Sequence, residues 1–134
     1  MVARPHAASW RGFVRVLQAR LAEHDVPFGH WTFLRILWQQ DGLTQRELSA
    51  EAGVTEPSTF AAIRAMEKQG YVTRRQVAEN RKNVYVHLTA KGRALERKLV
   101  PLAEEVNNRA VKGVTSADVR AARRVLLSII DNLS

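Results

Sequence analysis

Two helix starts stand eleven residues apart in the middle of the chain, with a glycine between them. The first, Thr44-Gln45-Arg46-Glu47, is a capping box. Its Thr44 hydroxyl accepts the Glu47 amide, the Glu47 carboxylate turns back to the Thr44 amide, and Leu43 and Leu48 form an apolar staple across it. The second, Val54-Thr55-Glu56-Pro57, offers Thr55 as N-cap and puts Pro57 in the first turn, where its missing N–H costs nothing. Gly53 keeps the first helix under three turns, and Gly70 gives the second a left-handed stop after Gln69. Two helices joined this way, with small Ser49, Ala50 and Ala52 permitting close approach, make either a helix-turn-helix or an ordinary helical hairpin of a bundle.

The residues beyond Gly70 favour a helix-turn-helix. From Tyr71 to Val77 the pattern changes to strand, a polar run covers Ala78 to Asn83, and Val84, Val86 and Leu88 alternate, which predicts a β-hairpin with a basic tip at Asn80, Arg81 and Lys82. A two-stranded ribbon is marginal alone and must pack on the helices; a projecting cationic tip suits phosphate or a minor groove. Before this unit, Trp10, Phe13, Val14, Leu17 and Leu21 recur at helical spacing between Ser9 and His24, and His30 to Gln40 is apolar nearly all round, as a central helix is. After it, Thr89 caps a long helix from Ala90 to about Lys112, with Leu95, Leu99, Leu102 and Val106 on one stripe and a kink expected at Pro101. Thr115 opens a last helix carrying Val119, Ala122, Leu126, Ile129 and Leu133.

The expected fold is therefore mainly α with a small β-hairpin wing: a winged helix-turn-helix over 28–92, flanked by helical segments 9–27 and 93–134. Those flanks either pair with a second copy as dimerisation helices, the reading preferred here, or fold back to complete a monomeric core. A length of 134 residues suits one domain rather than two. With no cysteine, disulfides, thiolate chemistry and sulfur-ligated metal sites are excluded. No stretch approaches the roughly 18 apolar residues of a membrane span, and MVARPHAAS lacks the apolar core of a signal peptide, so a cytoplasmic location away from membranes is expected.

Charge is distributed unevenly. The net is +8, residues 1–67 are neutral, and 64–98 hold ten cations against three anions. A localised basic block favours a polyanionic partner through counterion release, whereas a solvated basic face is its bland alternative. On the duplex-binding reading, free N–H groups at the helix start after Thr55 face phosphate, Ser58 and Thr59 reach phosphate or base edges, the Ala61 and Ala62 methyls touch thymine, and Arg64 reaches guanine or backbone. Glu56 either accepts from a cytosine amino group or, the reading preferred here, stabilises its helix start, and Phe60, Ile63 and Met66 form the core face at i, i+3, i+6. The full set of DNA-binding candidates is Gln45, Thr55, Pro57, Ser58, Thr59, Ala62, Arg64, Lys68, Arg74, Asn80, Arg81 and Lys82.

Three stretches, LTQRELSAEAGV, the helix ending AMEKQGYVTR, and ENRKNVYVHLTAKG, together resemble the MarR family of bacterial transcriptional regulators. In the last, Leu88-Thr89-Ala90-Lys91-Gly92 matches the family's Leu-Thr-x-x-Gly. Asn80 stands where the family usually has Asp, and Lys82 where it usually has Arg, so an Asp–Arg pair orienting the wing is not available, and either Arg81 or Lys82 leads there. The resemblance implies a homodimer on an inverted-repeat operator of double-stranded DNA, acting as a repressor, with a recognition helix in each major groove and wings in the flanking minor grooves. It also implies a small anionic or phenolic effector between the dimerising helices and the DNA module. Candidates for that site are Trp10, Arg11, Arg15, His24, His30 and Trp31, although the tryptophans are core residues by default and His24 suits a helix end.

An enzyme has little support. His6, His24, His30 and His87 give no zinc-ligand pair at i, i+4, and neither a glycine-rich phosphate loop nor Gly-x-Ser-x-Gly occurs, so no cofactor or metal is expected. A winged helix serving RNA or protein, or an architectural DNA binder without an effector, is the remaining alternative.

Overall fold

Four helices begin at the threonines that the sequence marks as caps. Thr44 accepts from the Glu47 amide at 3.1 Å, Thr55 from Ser58 at 3.3 Å, Thr89 from Gly92 at 3.0 Å and Thr115 from Asp118 at 3.1 Å. Each such cap stabilises its helix by about 1 kcal/mol. The computed structural model describes residues 5–134 and, beyond residue 10, every side chain except those of residues 80 and 81. In chain order it contains α1 (Pro5–Ala22), α2 (Phe28–Gln39), β1 (Leu43–Thr44), α3 (Gln45–Ala52), α4 (Glu56–Lys68), β2 (Val72–Val77), β3 (Asn80–Leu88), α5 (Ala90–Ala110) and α6 (Ser116–Leu133). The structure is mainly α with a small antiparallel wing, as expected.

The wing departs from the expected ribbon in two ways. A third strand, β1, joins it, giving the order β1-β3-β2, with Leu43 opposite Val86 and Thr44 opposite Tyr85. The sheet is thereby stitched to the start of α3, which answers the marginal stability of two strands alone. The polar run is also not a loop. β3 begins at Asn80 after a turn at Ala78 and Glu79, and the register shifts from Gln76 opposite Val84 to Val77 opposite Asn80, leaving 81–83 as a bulge.

The Leu-Thr-x-x-Gly stretch is the joint between wing and α5. Leu88 is buried, its amide donates to Asp41 at 2.8 Å, and the Thr89 hydroxyl donates to the Gly70 carbonyl at 2.5 Å. Gly70, at φ +84°, turns the chain from α4 into β2, a conformation costly for other residues. At Gly92 the reason for glycine is space: a Cβ there would collide with the Tyr71 carbonyl oxygen. The Gly92 carbonyl in turn accepts the Trp38 indole N–H at 3.0 Å.

α2 runs through the middle, burying Trp31, Phe33, Leu34 and Leu37. Leu17 and Leu21 of α1, Leu48 of α3, Ile63 and Met66 of α4, Val72 and Val86 of the sheet, and Leu95 and Leu99 of α5 complete one core. α1 therefore packs on α2 and α5 of its own chain, and Arg20 pairs with Glu105 at 2.9 Å. α6 differs: it buries no residue, and Val125, Leu126, Leu127, Ile129, Ile130 and Leu133 are exposed. No described helix is long and apolar enough to cross a membrane.

Candidate nucleic-acid interface

α4 shows which of its sides faces inward. Thr59, Ile63 and Met66 are fully buried, and at about 100° per residue the opposite side carries Pro57, Ala61, Arg64 and Lys68, with Ser58 and Ala65 beside it. All six are exposed. An apolar methyl, a hydroxyl and two cations on one exposed face suit a groove lined by phosphates and base edges.

This placement corrects three expectations. Thr59 cannot touch DNA: its hydroxyl accepts from Ser49 at 2.7 Å and donates to the Thr55 carbonyl at 3.1 Å, which staples α3 to α4. Ala62 is half-buried against the core, so Ala61 is the methyl that faces out. Phe60 is not core but 42% exposed, with the guanidiniums of Arg64 and Arg74 at 5.5 and 5.6 Å from its ring centroid. Residues at i, i+3, i+6 drift about 60° per step around a helix, so when 63 and 66 point inward, 60 lies on the flank, towards β2.

The start of α4 meets the wing. Thr55, itself exposed, is engaged with Ser58, and Glu56 of the first turn lies 3.4 Å from Arg46 of α3, both exposed to solvent. Lys82, exposed, lines a cleft with Thr44, Gln45, Arg46 and Glu56, which puts the wing cation beside the N-termini of both helices. Gln45 is half-buried there. Positions 80 and 81 belong to β3, but the Asn80 and Arg81 side chains lie outside the described residues. Arg74 is a tether rather than a free cation: its Nε donates to Glu67 at 3.1 Å. Arg75, the next residue, is exposed and absent from the sequence-derived candidates, though a strand with Val72 inward and Thr73 outward puts 75 on the outer side. Lys91 is committed to the Gln69 carbonyl at 2.8 Å, capping the end of α4.

The five described effector candidates are not brought together. The Trp10 side chain lies outside the described residues. Arg11 and Arg15 are exposed on α1, and His24 sits half-exposed in the turn after it. Half-buried His30 has its pKa pushed below 6.5 by desolvation. Of the described candidates only Trp31 lines a cavity of about 460 Å³ between α1, α2 and α5, together with Phe13, Arg35, Trp38, Glu96 and Glu104. The Arg35 guanidinium lies 5.8 Å from the Trp31 ring centroid, and Trp38 meets Trp31 edge-on at 5.7 Å. The signal that points to Arg35 is its place as the one cation in HWTFLRILWQQ, a turn beyond Trp31. Among the described residues no group of three metal-ligating side chains occurs.

A packed helix, a second helix turned outward after it, and a three-stranded wing against both helix starts define a winged helix-turn-helix DNA-binding protein. The MarR family profile matches residues 29–84. The chain is 30% identical over 124 residues to the transcriptional regulator PetP of Rhodobacter capsulatus, covering 92% of this chain and 74% of that one. It is 27% identical over 126 residues to the regulator TtmR of Methylorubrum extorquens, covering 94% of this chain but spanning only 64% of that relative's length. A MarR-family regulator of Listeria monocytogenes, solved with 26mer DNA, shares the fold at TM-score 0.86 and 22% identity, over 99% of this chain and 89% of that one. The chain belongs to the MarR family, whose members are DNA-binding transcriptional regulators and not enzymes.

Proposed function

We propose that two copies of this chain form a symmetric dimer that binds an inverted-repeat operator as a cytoplasmic repressor and is released by a small effector. The observation that carries the DNA reading is the juxtaposition of Lys82 with the start of α4, whose outward side bears Ser58, Arg64 and Lys68. One duplex meets recognition helix and wing together. The bare apolar surface of α6 supports the dimer, since a second copy is the simplest cover for a helix that buries nothing in its own chain. With about six to ten phosphates neutralised, operator affinity falls by about 10³ to 10⁵ between 50 and 200 mM salt. Half-sites lie about 34 to 36 Å apart. A flat salt response, or preference for structured RNA over a palindromic duplex, overturns this reading.

The cavity beside Trp31 and Arg35 is the effector site on this reading. Arg35 offers a carboxylate its guanidinium fork over an aromatic floor, in place of the α1 arginines and histidines. Thermal-shift screening of aromatic acids tests it: an acid that raises the melting temperature and weakens operator binding in wild type, and does neither in Arg35→Ala, supports the assignment. Equal responses in both proteins remove it.

A further inference from the structure

We infer that Phe60 is a positioning residue for base reading, holding the Arg64 guanidinium so that its N–H fork is presented to a guanine. The inference rests on the duplex-binding reading above. Phe60 lies one helical turn before Arg64 on α4, and the Arg64 guanidinium carbon is 5.5 Å from its ring centroid. The ring is held from the other element as well: Arg74 of β2 approaches it at 5.6 Å and is itself fixed by Glu67 at 3.1 Å. The two arginines are therefore not equivalent. Arg74 has a carboxylate partner and is largely covered, whereas Arg64 is exposed and, among the described residues, has no carboxylate partner.

A guanidinium attracted to a ring leaves its donors in its own plane, because the attraction uses the ring's electron-rich face and not the N–H groups. The donor geometry that matches guanine O6 and N7 is thus left unoccupied. An unsupported arginine on a helix surface has to give up its rotamer freedom when it docks, and the ring removes part of that loss beforehand. This accounts for a large apolar side chain standing 42% exposed on the flank of the recognition helix while Ile63 and Met66 go to the core. Leucine at this position has the bulk but no π face.

The test pairs protein variants with base analogues. The probe is a duplex selected from a random library by the wild-type protein, with each guanine replaced in turn by 7-deazaguanine, which lacks the N7 acceptor. Wild type loses about tenfold in affinity at one guanine per half-site. Arg64→Ala and Phe60→Leu bind more weakly and have lost that sensitivity, while Phe60→Tyr restores it; melting curves confirm that each variant is folded. The inference is overturned if Phe60→Leu is as sensitive as wild type, or if wild type is indifferent at every guanine. It is also overturned if the Phe60→Leu deficit disappears only when thymines are replaced by uracil, which would make the ring a methyl contact instead. Failure of wild type to select any duplex would overturn the DNA reading itself and this inference with it.

Discussion

α4 and α6 are both amphipathic helices opened by a threonine cap, yet one buries Thr59, Ile63 and Met66 completely and the other buries nothing. A stripe at helical spacing announces that a helix has a partner without saying whose chain supplies it. α4 finds its partners in α2, α3 and β2. α6, beyond the turn at Gly113, leaves Leu126 60% and Leu133 83% exposed. The same pattern thus encodes a core in one place and an uncovered apolar surface in the other, and the difference is visible only in three dimensions.

Mutations can break that comparison. The largest effect is expected from the buried stripe: Ile63→Ala leaves a cavity and costs about 2 to 5 kcal/mol, read as a lowered urea midpoint. Leu126→Glu, on the exposed stripe, changes the stability of an isolated protomer by no more than about 0.5 kcal/mol. Even so, it should convert a dimer to a monomer by sedimentation and weaken operator binding at least about 100-fold. A dimeric Leu126→Glu protein places the subunit contact elsewhere. Thr59→Val removes the hydroxyl partner of Ser49 and is expected to cost about 1 to 3 kcal/mol in stability. Its effect on operator affinity should follow that loss of folding, so a fully folded variant with normal melting but impaired DNA binding would return Thr59 to the contact set. Arg64→Ala, by contrast, leaves melting unchanged, costs about 1 to 3 kcal/mol of operator affinity and relaxes specificity at one base position per half-site.

The smallest effect concerns His30. Burial disfavours its charged form, so the unfolded chain takes up the proton first as pH falls below 6.5. Its contribution is complete above that value and declines as pH drops towards the folded-state pKa. Melting temperatures between pH 5 and 7 should show a slope that His30→Asn reduces; an unchanged slope assigns the dependence to other groups.

Local chemistry makes much of this legible. Caps are written in three or four consecutive residues, so the starts at Thr44, Thr55, Thr89 and Thr115 can be read directly, as can the stop at Gly70. Pairings between distant segments cannot. Leu43 and Thr44 look like the threshold of a helix, and nothing nearby in the chain says that Val86 and Tyr85 will lie against them. Phe60 looks like core in the sequence because a three-residue spacing resembles a helical stripe over one step and is about 120° off it over two. The effector candidates come from α1, α2 and the turn between them, whereas the cavity takes its third wall from α5, about 60 residues further on. Arg74 and Lys91 count as positive charge in any tally, but one is neutralised by Glu67 and the other closes the end of α4.

The close seat of Gly92 on Tyr71 has a mechanical corollary. With no room for even a methyl group between them, the 21-residue α5 cannot slide along the hairpin, and with Leu95, Leu99 and Val106 buried in the core it tilts only together with the wing, as one rod. Such a rod is about 30 Å long, so a swing of about 5° moves its far end by about 3 Å. A slight tilt at the Gly92 joint is thus geared up, at the other end of α5, into a shift comparable to the rise of one base step.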